Sequence, residues 1–176
     1  MLLQVLLSIL ISMFFQNPNY ETSVSSVRYT MRHKLHSWEG VSKELKVATK
    51  WNEQKREIEQ ISIVVNVATF NSGLSSRDSH MLEVLDGLTY PRILFSSSSV
   101  QYTPDGIFVK GKLQFHGIER IIETKVKMEK VNNRWIFSGR LPVLLEDYKV
   151  ERPSLLFVKV DNLMMVDFQV GFKDMN

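Results

Sequence analysis

The 176-residue chain contains no cysteine. That excludes disulfides, Cys-ligated zinc, iron–sulfur clusters, a thiol nucleophile and a lipidated cysteine anchor. Several short signatures of chemistry are missing as well. There is no G-x-S-x-G elbow, no G-x-G-x-x-G, no P-loop, and no H-x-H or H-E-x-x-H spacing for a metal. An excess of one charge is lacking too: 22 Lys+Arg stand against 19 Asp+Glu, for a net +3, and the two signs are interspersed. A protein that lives on phosphate contacts carries a basic patch or stripe, so no nucleic-acid partner is expected. No internal repeat and no linker divides the sequence, and its length suits one domain with a real core.

A membrane-spanning run is also wanting. Residues 1–20 carry no charge, and Leu2 to Phe15 is apolar but for Gln4, Ser8 and Ser12. About 14 residues make about 21 Å of helix, short of the roughly 30 Å of a bilayer core. The run reads as the apolar region of a secretory signal, although no Lys or Arg precedes it. The expected division is a signal over residues 1–19 and one domain over 20–176, placed in the periplasm or secreted.

What is present after residue 24 is a period of two. Ile107, Val109, Leu113 and Phe115 alternate with Lys110, Lys112 and Gln114, and Ile118, Ile122, Val126 and Met128 alternate with Glu119, Glu123, Lys125 and Lys127. Such alternation marks strands with one wet and one dry face. Pro104-Asp105-Gly106, His116-Gly117 and Asn132-Asn133 supply the turns. The same reading gives strands at 24–33, 40–51, 58–70, 92–102, 107–115, 118–128, 134–145 and 159–172. Eight strands joined mostly by short turns specify an antiparallel barrel or sandwich. Pro142 marks its strand as an edge, a bulge or a short strand. One stretch breaks the period: Met81, Leu82, Leu85 and Leu88 recur at helical spacing. The spacing predicts a helix over 75–88 in the long connection between the third and fourth strands, capped by Ser75 or Ser76. Pro153 predicts a short helical turn over 152–156.

Five segments, in order, resemble the YceI-like, polyisoprenoid-binding family. They are Ser26-Val27-Arg28-Tyr29-Thr30-Met31-Arg32-His33 with Trp38-Glu39-Gly40; Ser76-Arg77-Asp78-Ser79-His80; Tyr90-Pro91-Arg92-Ile93-Leu94-Phe95-Ser96-Ser97; Val109 through Ile118; and Tyr148 through Leu155. Gln114 stands where that family usually has Thr. The resemblance spans about residues 24–172. It implies an eight-stranded, antiparallel, lipocalin-like barrel with one helix in a long connection. It further implies a non-enzymatic, exported protein holding an isoprenoid lipid or quinone in its barrel, with no other cofactor and a membrane-associated redox partner.

On that reading the lipid-binding wall is Tyr29, Met31, Ile63, Val65, Phe95, Leu113, Phe115, Ile122, Phe137, Val166 and Phe168. The polar groups of the barrel mouth are His33, Arg77, Asp78, His80 and His116. Two alternatives stay open. The same apolar faces can simply fill a packed core, or His33, His80 and His116 can converge on a small molecule, as in an enzyme or stress-response factor. Local capping by these histidines is the plainer use, because metal-ligand spacing is absent.

Overall fold

The computed structural model describes residues 20–173, so the expected signal segment lies outside the described residues. The strands are β1 (Tyr20–His33), β2 (His36–Ser42), β3 (Leu45–Asn52), β4 (Glu57–Asn66), β5 (Arg92–Thr103), β6 (Gly106–Phe115), β7 (Ile118–Val131), β8 (Arg134–Leu144), β9 (Ser154–Leu155), β10 (Val158–Lys159) and β11 (Leu163–Lys173); helix α1 is Ser75–Val84. Nine strands form a single sheet in the order β2-β1-β11-β8-β7-β6-β5-β4-β3, while β9 and β10 make a separate hairpin. Every pairing is antiparallel. The fold is the all-β, curled antiparallel sheet that the alternation predicts.

The sheet has nine strands because the segment expected as one strand at 40–51 bends at Lys43–Glu44. Ser42 Oγ accepts the Glu44 N–H at 3.2 Å and shares a 2.6 Å hydrogen bond with the Thr69 hydroxyl. The chain leaves β1 there and joins β4. β2 and β3 are therefore the outermost strands of the sheet and yet only two residues apart, which curls the sheet round on itself. Across that seam the Tyr20 hydroxyl donates to the Leu45 carbonyl at 3.2 Å, and Val41 and Asn71 exchange two 3.0 Å backbone bonds.

The tight turns follow from their residues. His116-Gly117 and Asn132-Asn133 each hold positive φ at both central positions, the geometry that matches strand twist in two-residue hairpins. Residues with longer-range partners depart from the sequence reading. The expected helical turn at 152–156 is instead the β9–β10 hairpin, since the Val160 N–H donates to the Pro153 carbonyl at 2.9 Å and holds that segment extended. A 3-10 turn lies earlier, at Leu145–Tyr148. The strand expected to reach Phe70 stops at Asn66, whose side chain accepts the Ala68 N–H and starts a 3-10 turn. Helix α1 ends at Val84 and has Leu74, not a serine, at its N-cap. Pro142 lies inside β8, paired through Met165 to β11. On its other side the β7–β8 pairing ends at Gly139, so the missing N–H costs no bond to β7.

Strand direction sorts the connections into two ends. The turns β3–β4, β5–β6 and β7–β8 lie at one end, together with the start of β1 and the close of β11. The other end carries the β1–β2 and β6–β7 turns and both long connections, 67–91 and 145–162. The turn end is sealed: Phe172 is wholly buried and makes edge-on contacts with Tyr20 at 6.2 Å and Phe137 at 5.7 Å.

Candidate functional site

The inward faces of the strands do not meet at the centre. They surround a cavity of about 260 Å³ that α1 and the 145–162 connection cover at the connection end. An apolar cavity of roughly 150 Å³ already takes benzene, and small-molecule pockets begin near 300 Å³. All eleven residues read from the sequence as the inner wall line it: Tyr29, Met31, Ile63, Val65, Phe95, Leu113, Phe115, Ile122, Phe137, Val166 and Phe168. The period-two pattern therefore located the dry face of the strands these residues come from, although Met128, read as part of the dry face of β7, is exposed. Apart from Tyr29, Trp38 and Tyr102, the polar residues that join the lining among the described residues are Arg77, His80 and Thr124.

Three glycines keep aromatic rings against the wall. Gly40 pairs with Tyr29 across β1–β2, and Gly139 with Phe168 across β8–β11. A Cβ on Gly40 would lie 2.4 Å from the Tyr29 ring, one on Gly139 2.5 Å from the Phe168 ring, and one on Gly111 2.7 Å from the Phe95 ring. The rings occupy the space of the missing side chains instead of crossing the lumen.

Burial raises the pKa of the Tyr29 and Tyr102 phenols above the ordinary 10.0, as it does for Tyr20 and Tyr148. The neighbouring Asp78 carboxylate adds to the rise at Tyr29. With a higher folded pKa, these groups favour the fold fully below the unfolded value. The contribution is lost as pH climbs through 10.0 toward the folded values, because the unfolded chain releases its protons first. Thermal melts are expected to lose stability above about pH 10, in step with tyrosinate absorbance. Tyr148→Phe should make that alkaline fall shallower.

The five predicted mouth residues all sit at the connection end, in three different roles. Arg77 and His80, on α1, reach the cavity; Arg77 lies 5.7 Å over the Trp38 ring, and His80 is mostly exposed beside Glu83. Asp78 instead accepts the Ser72 N–H at 3.0 Å and ties the preceding loop to the helix. His33 is buried; its Nδ1 accepts the Leu35 N–H at 3.3 Å, which leaves Nε2 to donate to the Val158 carbonyl at 3.1 Å. His116 bonds the Tyr148 carbonyl at 2.9 Å through Nδ1 and meets the Tyr90 ring edge-on. Two histidines thus fasten the 145–162 connection to the rim. Among the described residues no three His, Asp or Glu side chains stand close enough to hold a metal.

Sequence reading missed the cover of the cavity. Met81 and Val84 from α1, Leu85 at its C-cap, and Val150, Pro153 and Val160 from the second connection all line it. The helical spacing of Met81 and Leu85 gave the face of α1 but not its target. The second connection has no period to read.

The YceI-like domain model matches residues 19–172. Protein YceI of Escherichia coli is 22% identical over 105 residues, 58% of this chain and 55% of that protein. Protein YceI of Salmonella newport matches to the same extent. The chain thus spans little more than half the length of these curated relatives. Among solved structures, Burkholderia cenocepacia BcnA superposes with a TM-score of 0.76 at 20% identity, covering 87% of this chain and 99% of that one. A polyisoprenoid binding domain from Saccharophagus degradans gives 0.70 at 16% identity, covering 89% and 97%. The Campylobacter jejuni YCEI protein gives 0.69 at 13%, covering 82% and 90%. At these identities the likeness is one of fold.

Proposed function

Because this chain belongs to the YceI-like domain family, we propose that it is a binding protein that encloses a long isoprenoid chain, either a polyisoprenoid or the tail of an isoprenoid quinone, for carriage or storage. The observation that carries this reading is the central cavity of about 260 Å³, apolar but for Thr124 on β7 and for Arg77 and His80 at the connection end. A prenyl chain has no hydrogen-bonding groups, so it leaves none unpaired in such a wall. Each buried CH₂ equivalent gives about 0.8 kcal/mol, hence at most about 4 kcal/mol per five-carbon unit. A few enclosed units, less the cost of ordering and association, reach about −8 kcal/mol, or micromolar affinity. Arg77 and His80 stand where a polar head would emerge.

The proposal includes export to the periplasm or beyond, on the strength of the apolar segment Leu2 to Phe15. A quinone cargo would bring a membrane-associated redox partner with it. Binding requires no catalytic group, and His33 and His116 are already committed to backbone carbonyls.

Organic extraction of the purified protein, followed by mass spectrometry, is expected to release a prenyl species. Repeated recovery of prenyl-free protein that also refuses prenyl lipid offered in ethanol overturns the reading.

A further inference from the structure

The β9–β10 hairpin carries a turn that its sequence does not favour. Leu156 and Phe157 both hold positive φ, 51° and 64°. Two-residue turns of that shape prefer Asn-Gly or Asp-Gly, and large apolar residues there are strained. Neither side chain is repaid by burial, since Leu156 is 73% exposed and Phe157 fully exposed. Backbone strain that displays two greasy side chains to water points to a function at the tip.

The base of the hairpin shows what that function concerns. Pro153 and Val160 line the central cavity, and the hairpin rises from its rim. The base is held rigid: Arg152 donates to the Val160 carbonyl at 3.1 Å and pairs with Glu146 at 2.9 Å, and His33 holds the Val158 carbonyl. Leu35 and Leu88 are exposed at the same end. Arg32, Lys34 and Lys159 are exposed there too, and none forms an ion pair among the described residues.

We propose that the Leu156–Phe157 tip inserts into a phospholipid bilayer and sets the cavity mouth against it, with Arg32, Lys34 and Lys159 on anionic headgroups. This rests on the prenyl-binding reading, because an apolar chain passes into the cavity without crossing water only if the mouth touches the phase that dissolves it. The arrangement matches other interfacial anchors, in which apolar side chains enter the headgroup–acyl boundary beside basic residues.

The absence of cysteine allows a local test. Leu156→Cys in the full chain, labelled with an environment-sensitive dye, is expected to shift its emission to the blue on vesicles of phosphatidylcholine and phosphatidylglycerol. Asp105→Cys, in the turn at the opposite end, should not. No shift at Leu156→Cys, or equal shifts at both sites, overturns the proposal. The second arm is the double variant Leu156→Asn/Phe157→Gly, which has the preferred turn sequence. It should raise Tm by about 4 °C, collect prenyl lipid from vesicles at least about tenfold more slowly, and load ethanol-dispersed prenyl lipid as the parent does. Equal rates from vesicles overturn the docking tip. If neither protein loads dispersed lipid, the binding reading fails, while the dye still decides the docking.

Discussion

Gly40→Ala is expected to weaken prenyl-lipid uptake about tenfold in a protein that still folds. The added methyl would sit 2.4, 2.6 and 2.7 Å from Cε1, Cζ and Oη of Tyr29. No backbone atom is among those neighbours, so the ring moves and the strand pair stays. Tyr29 lines the lumen, so the ring has that space to turn into. A displaced phenol narrows a cavity of about 260 Å³ where the guest must pass. The overpacking itself costs about 1–3 kcal/mol of stability. Adding Tyr29→Leu removes the ring and should restore uptake. A titration of purified protein with prenyl lipid reads the effect, with thermal melts as the control for folding. Unchanged affinity in Gly40→Ala would mean that the lipid does not touch this part of the wall. Gly111 is the poorer choice, because its Cβ would also strike the Ser96 carbonyl at 2.4 Å and shift the strands.

Phe172→Ala is expected to be the most destabilising single truncation at the sealed end, costing about 3–5 kcal/mol out of a total of about 5–15 kcal/mol. Phe172 has no exposed surface and is braced by two edge-on rings, Tyr20 and Phe137. It does not line the cavity, so the loss is one of support. Urea unfolding followed by circular dichroism measures it. Should the alanine variant fail to accumulate, Phe172→Leu keeps most of the volume and is expected to cost under about 1.5 kcal/mol. A loss below about 1 kcal/mol for Phe172→Ala would show that Tyr20 and Phe137 close the gap themselves.

The alternation of side chains made the wall legible. In a half-wet sheet the period of two is imposed locally, residue by residue, by which face meets water. The eleven wall residues chosen on that basis, from Tyr29 to Phe168, line the cavity, while Met128 near the far end of β7 is exposed to water. The turns at His116-Gly117 and Asn132-Asn133 were equally local, since φ there is a property of the residues. What stayed hidden depends on distant partners. The bend at Lys43–Glu44 is fixed by Ser42 meeting Thr69. The hairpin at 154–159 is held by His33, some 125 residues away in the chain, and Pro153 pointed to a helix because its partner Val160 is invisible to local rules. The glycine–aromatic pairs were missed for the same reason, as Gly40 and Gly139 each look like weak points of a strand until the ring opposite is known.

The pairing of β1 with β11 governs the order of events in folding. The first strand waits for the last, and a nascent chain still lacking Leu163–Lys173 is a sheet with an unfinished seam and a wet, greasy interior. No guest can be sealed in during synthesis. A chain cut short before Leu163 would keep that interior permanently open, the kind of surface on which chaperones and proteases act.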